Sequence, residues 1–175
     1  MHSVLVLGAG KIGALISGLL AESGAYRVAL ADVDGKVARS VVQAHGLGQL
    51  EAFEVDARHP AALRAHLAAH PVDAVVSSLP FYCNIGVAAA AREAGAHYFD
   101  LTEDVEVTRE VRRIATGANR AFVPQCGLAP GVISIAAHEL MTHFDEVRAV
   151  KLRVGALPQH PNNVLKYSLT WSTEG

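Results

Sequence analysis

The sequence is short of most features that announce a special environment. It holds two cysteines in 175 residues, Cys83 and Cys126. That is too few for a disulfide framework, so a reducing cytoplasm is the expected compartment. Neither sign of charge dominates. Fifteen Lys and Arg against 17 Asp and Glu leave −2 at pH 7, a balance that gathers neither nucleic acid nor an anionic membrane surface. No apolar run approaches the roughly 20 residues that span a bilayer. Met1 leads straight into strand-like sequence, without the basic segment and small-residue cleavage site of a secretory signal. There is no G-x-S-x-G elbow, no G-x-x-x-x-G-K-[ST] loop, and no Tyr followed four positions later by Lys. His66 and His70, in "HLAAH", are four apart, the spacing at which two imidazoles can share a metal. With no Glu after the first and no third ligand nearby, they read as histidines on a solvated face, and no metal is expected.

What is present is core material: 51% of the residues are hydrophobic. They are arranged as β-like runs alternating with helical ones. "SVLVLGA", "YRVALAD", "LEAFEVD", "VDAVVSSLP", "HYFDL" and "AFVPQC" read as six strands, and the segments between them carry apolar residues at helical spacing. The strands are near-continuous Val, Leu and Ala rather than strictly alternating, as in a parallel sheet covered on both faces. The expected fold is therefore a doubly wound parallel α/β domain of the Rossmann type over residues 1–126. Residues 127–175 behave differently. A linker helix is followed by "EVRAVKLRVGAL" from Glu146, which alternates like a strand wet on one face, and then by loop-like sequence and the start of another such run. These read as the opening of an antiparallel α+β substrate domain whose remainder is missing, so the chain reads as a fragment. Such a sheet would make a dimer surface in the full-length protein.

The strongest functional motif lies between the first strand and first helix. Gly8, Gly10 and Gly13 form G-x-G-x-x-G, with Lys11 and Ile12 between the last two. The first glycine allows a tight turn, the second lets backbone approach a pyrophosphate, and the third lets the helix pack close to the strand. The free amides at the helix start then face the phosphates. Asp32 ends the second strand about 20 residues on, where an acid holds the adenosine ribose hydroxyls. A 2′-phosphate would meet a like charge there, which favours NAD over NADP, although Lys36 and Arg39 could pair with such a phosphate. Asp56 closes the third strand, where it either touches adenine or caps the next helix. Ser77, Ser78, Leu79 and Pro80 end the fourth strand beside the switch point, where the nicotinamide half belongs. Asn84 reads as a helix cap and Cys126 as a small buried hydrophobe.

The segments "VLVLGAGKIG", "LADVD", "SSLPFYCNIGVAAAAREAGAHYFDLTED", "VPQCGLAPG" and "VGALPQHPNNVLKYSLTWSTEG" together resemble the saccharopine dehydrogenase-like family. Within it, they are most similar to the lysine 6-dehydrogenase-like branch. The resemblance covers essentially the whole chain. It implies an N-terminal Rossmann domain, an antiparallel substrate domain, and oxidation of the amine of an amino acid such as lysine or saccharopine with NAD(P)+ as hydride acceptor. It also places "CGLAPG" where the chain crosses toward the substrate domain, with Gly127 close to the nicotinamide or substrate. Pro130 is expected in the first turn of the following helix. In "HYFDLTED", Tyr98, Asp100 and Thr102 are the candidate catalytic residues, with Glu103 behind them and Asp100 as base or ammonium contact. The alternative role for Asp100 is to cap the next helix or hold the "TED" turn. Two other functions stay open: a non-catalytic NAD-binding regulatory domain of the kind found in potassium transport, and a related reductase such as a carboxynorspermidine-type enzyme.

Overall fold

The computed structural model describes residues 1–155 together with His160 and Val164. Its elements run β1 (His2–Leu7), α1 (Lys11–Glu22), β2 (Tyr26–Asp32), α2 (Gly35–His45), β3 (Leu50–Glu54), α3 (Pro60–Ala69) and β4 (Ala74–Ser77). A short 3₁₀ turn (Phe81–Cys83) leads into α4 (Asn84–Glu93), β5 (His97–Asp100), α5 (Val105–Ala115), β6 (Phe122–Val123) and α6 (Val132–Met141). The strands form one sheet in the order β3-β2-β1-β4-β5-β6, and every pairing is parallel. This is the doubly wound Rossmann order, with its switch point between β1 and β4.

The unbroken apolar run of β1 has a direct cause. Leu5 and Leu7 point to one face and pack with Leu63, Val87, Tyr98 and Val111. Val4 and Val6 point to the other and pack with Ala21, Val28, Leu30 and Ala38. Both faces of the strand are core, so neither can be polar.

Helix ends follow local chemistry. Asp34 caps α2 by accepting from the Lys36 amide at 2.9 Å, and Gly46 closes that helix at φ 65°. Asp104 caps α5 by accepting from the Val107 amide at 2.7 Å. Neither Asp100 nor Asn84 caps a helix; Asn84 is buried as the first residue of α4.

Past β6 the structure departs from the sequence reading. Residues 146–155 are exposed and carry no strand. Among the described residues no strand pairs with them, and alternation alone does not make a strand. The remaining "ALPQHPNNVLKYSLTWSTEG" segment, apart from His160 and Val164, lies outside the described residues. Pro130 is not in the first turn of α6. That helix begins at Val132, with Gly131 at its cap, and the Ala129–Pro130 peptide, which is cis, belongs to the preceding turn. Among the described residues, no helix is long and apolar enough to cross a membrane.

Candidate functional site

The carboxyl ends of β1, β2, β3 and β4 converge on the glycine loop, and the three glycines divide the work as their surroundings require. Gly8 has φ 96°, and a Cβ there would sit 2.9 Å from Ser78 Oγ. A Cβ on Gly13 would lie 1.7 Å from the Gly8 carbonyl oxygen, so only glycine lets α1 seat against the strand. Gly10 is different: its backbone is ordinary extended chain, and a Cβ would meet nothing within 4 Å. Neither φ nor crowding demands glycine there, and the missing side chain leaves the space over the helix start open.

The loop is held from outside. Asp32 Oδ2 accepts from the Ala9 amide at 2.7 Å, and Ser78 Oγ donates to the carbonyls of Leu7 at 2.8 Å and Gly8 at 3.1 Å. Inside α1, the first helical backbone bond runs from the Ala14 amide to the Gly10 carbonyl at 2.9 Å. Among the described residues, the amides of Lys11, Ile12 and Gly13 donate to no group in the chain. Three unpaired N–H groups at a helix start, beside a residue with open space over its Cα, form a ready anion seat.

Beside this seat lies a cavity of about 260 Å³. It brings together Gly8, Asp32, Asp56, Leu79 and Pro80, all singled out from sequence, with Val33, Arg58 and Tyr82. That volume falls below the roughly 300–1,000 Å³ of drug-sized pockets, so it suits one half of a dinucleotide. A larger concavity of about 560 Å³, lined by Arg92, Arg120, Phe122 and neighbouring turns, opens at the opposite edge of the sheet. It lies away from the strand ends where ligands of open α/β sheets bind.

The nicotinamide side of the site corrects the sequence reading. Asp100 is wholly buried. Its Oδ2 accepts from the Tyr98 hydroxyl at 2.7 Å, and its Oδ1 from the amides of Thr102 at 3.0 Å and Gln125 at 3.1 Å. A buried carboxylate with three donors is bound into the fold: it holds the turn after β5. It also pins Gln125 at φ 63°, an uncommon conformation for a non-glycine residue. Tyr98 is equally buried, its ring stacked on Phe122 at 5.8 Å between centroids. Burial foremost, with the Asp100 carboxylate beside it, pushes its hydroxyl pKa far up, so it stays protonated and donates. Thr102 Oγ1 accepts from the Asp104 amide at 3.1 Å. All three are buried in this chain and tied into hydrogen bonds of the fold. Ser77 likewise donates to Asn84 Oδ1 at 2.7 Å in the buried layer, and Cys126 is exposed, not buried.

The second glycine turn is closed. A Cβ on Gly127 would be 3.1 Å from the Pro130 carbonyl oxygen. The amides of Val132 and Ile133 donate to the carbonyls of Gly127 and Leu128 at 2.9 and 3.1 Å. The start of α6 therefore offers no unpaired amides like those of α1.

The sequence matches the family model described as the saccharopine dehydrogenase NADP binding domain over residues 4–126. The chain belongs to this family. Among solved structures, it is similar to apo saccharopine dehydrogenase (L-Glu forming) from Saccharomyces cerevisiae. The TM-score is 0.79 at 21% identity, over 99% of this chain and 39% of the yeast chain. It is also similar to a putative myo-inositol dehydrogenase from Sinorhizobium meliloti 1021, with TM-score 0.60 and 21% identity over 82% of this chain and 41% of the other. A third likeness is the WlbA dehydrogenase from Chromobacterium violaceum, solved with NADH and UDP-GlcNAcA, at TM-score 0.55 and 20% identity over 70% and 34%. The chain thus spans about two fifths or less of each of these proteins. At these identities the structural likeness speaks for the shared fold.

Within this family member, sequence reasoning missed Arg58 and Tyr82 in the cavity, although Asp56-x-Arg58 after a strand end was legible as a pair able to meet. Asp56 accepts from Arg58 rather than capping α3, whose cap position is His59. Of the histidine pair, His70 is exposed as expected, but His66 is not. His66 is half-buried, edge-on to Phe53 at 5.0 Å between centroids, with His70 4.9 Å from the same ring. Among the described residues, no group of three or more His, Cys, Asp or Glu is placed to hold a metal ion.

Proposed function

We propose that this chain is the cofactor-binding part of an NAD-dependent oxidoreductase acting on the CH–NH or CH–NH₂ group of an amino acid, lysine- or saccharopine-like. The observation that carries the reading is the open amide seat over Gly10, set in a domain of the saccharopine dehydrogenase family. The nicotinamide supplies hydride acceptance when bound; this chain's residues bind and orient it. The amides of Lys11, Ile12 and Gly13 hold the diphosphate, Asp32 accepts from the ribose hydroxyls, and Leu79 and Pro80 line the passage toward the nicotinamide. The amino-acid side of the reaction lies outside this domain. The candidate catalytic residues Tyr98, Asp100 and Thr102 are buried in this chain, and the yeast relative is more than twice as long.

NAD is favoured over NADP by the charge at Asp32. At about 4 Å and an effective dielectric near 20, each unit of like charge on a 2′-phosphate costs on the order of 4 kcal/mol before screening. The family description names NADP, so the two nucleotides are compared directly in the test. Calorimetric titration of the chain should show NAD binding at least tenfold tighter than NADP. Gly10→Val should abolish binding while costing no more than about 1 kcal/mol of stability, the N-cap preference for glycine, because the added side chain projects into open space. Unchanged NAD affinity in Gly10→Val would remove the site, and tighter NADP binding would reverse the cofactor assignment.

A further inference from the structure

The larger concavity, of about 560 Å³, lies where α4 and α5 end and β6 begins. Its volume is within the range of small-molecule sites, and its lining carries two guanidinium groups, Arg92 and Arg120, and no acid. Arg120 is fixed across the end of α4, its Nε donating to the Gly95 carbonyl at 2.8 Å. Among the described residues, its Nη1 and Nη2 meet no acceptor, and the Arg92 side chain meets none. Two neighbouring acids are already taken. Glu93 accepts from Arg64 at 2.5 and 3.0 Å. Asp73, close enough to feel the Arg120 charge, accepts from the Ser3 amide and hydroxyl at 2.8 and 3.0 Å. Two like charges around one hollow repel, so the fold gains nothing from setting them there, whereas an anion meeting both would. The floor is apolar: Phe122 is half-buried, with its ring stacked on Tyr98.

We propose that this concavity binds a small organic monocarboxylate, its carboxylate between Arg92 and Arg120 and its apolar body over Phe122. A guanidinium fork matches a planar carboxylate. The charge balance selects a monoanion. Two helices end at the hollow, and their terminal carbonyls, each equivalent to roughly half a negative charge, offset about one of the two guanidinium charges. What remains suits a carboxylate better than a phosphate dianion. The hollow stands at the opposite end of the strands from the glycine loop, so its ligand is independent of the nucleotide reading.

The test titrates the 175-residue chain calorimetrically with benzoate, hexanoate, acetate, inorganic phosphate and benzylamine. Benzoate and hexanoate should bind, acetate and phosphate at least about 10-fold more weakly, and benzylamine not at all. Arg92→Ala and Arg120→Ala should each weaken benzoate by about 10-fold, the loss of a charge-assisted bond. Arg92→Lys should recover only part of this, because an ammonium keeps the charge without the fork. Arg92 is exposed and bonds to nothing in the described fold, so its variants read binding rather than folding. Benzoate affinity should be the same in Gly10→Val as in the parent. Unchanged affinity in Arg92→Ala overturns the proposal, as does a parent chain that binds neither benzoate nor hexanoate. Phosphate binding tighter than benzoate would make the hollow a dianion seat, and benzylamine binding as tightly would make it an apolar hollow without charge selection; either overturns the monocarboxylate. A loss of benzoate binding in Gly10→Val would place the anion at the glycine loop and overturn it as well.

Discussion

Two strand–glycine–helix turns stand at opposite ends of this chain's Rossmann unit, Gly8 to Gly13 and Gly127 to Gly131, and only one of them is built to receive an anion. After the first, α1 buries Gly13, Ser17, Gly18 and Ala21 against the sheet. After the second, α6 buries none of its residues, and Val132, Ile135 and Leu140 are exposed. The first loop is held by side chains from elsewhere, Asp32 and Ser78, so its helix amides need no partner from the loop. The second loop is held by itself: its own carbonyls cap α6, and a bridge joins Gly127 to Gly131. Glycine spacing alone therefore does not identify an anion site. What identifies it is that the loop's hydrogen bonds are satisfied by outside groups, leaving the helix amides free.

The contrast can be broken most forcefully at the last glycine of each turn. Gly13→Ala puts a methyl 1.7 Å from the Gly8 carbonyl oxygen in the packed layer and should cost about 3 kcal/mol in urea denaturation, enough to unfold a marginal domain. Gly131→Ala is at least as crowded locally, with a methyl 2.0 Å from the Gly127 carbonyl oxygen and φ 134°. Because α6 buries nothing, the global midpoint should move by no more than about 0.5 kcal/mol, while proteolysis at 127–141 quickens. A global loss from Gly131→Ala equal to that from Gly13→Ala would mean the second turn belongs to the core.

The next largest effect concerns the two acids at strand ends, which the sequence presents alike. Asp32 and Asp100 each close a strand with an apolar run before them. Periodicity placed both correctly at the carboxyl edge, and the doubly wound parallel sheet was legible because strands such as β1 and β2 carry near-continuous apolar runs. What lies above each acid is set by residues far along the chain, and local sequence does not report it. Asp32 opens on a cavity, whereas Asp100 lies under Gln125 and Thr102 and is sealed by Tyr98. Arg58 went unnoticed for a related reason: the cavity it lines is completed by Val33, just after β2, and by Tyr82 of the 3₁₀ turn. Asp100→Ala leaves the Tyr98 hydroxyl and two amides without an acceptor and should cost about 2–3 kcal/mol. Asp100→Asn, which keeps an oxygen acceptor, should cost less. A stable Asp100→Ala would reopen a role in chemistry for that carboxylate.

The smallest effect sharpens the same lesson on the far side of the sheet, where the "HLAAH" pair sits. His66 was expected in solvent, yet among the described residues its Nε2 is buried without a hydrogen-bond partner, and the ring packs against both Phe53 and His70. Burial, and then the neighbouring His70, lower its pKa below 6.5. The folded protein thus keeps this ring neutral where the unfolded chain would protonate it. Below about pH 6.5 the unfolded state binds more protons, so this group's contribution is complete above that pH and is lost as pH falls toward 5. His66→Leu, which fills the same space against Phe53 without a titrating nitrogen, should flatten that part of the urea-midpoint profile between pH 7 and 5. His70→Ala removes only the secondary cause and should flatten it partially. Parallel profiles for the parent and His66→Leu would show that the ring escapes to solvent when protonated. In that case the histidines would form a solvated face after all, and burial at this edge would not resemble the tight packing beneath the first glycine turn.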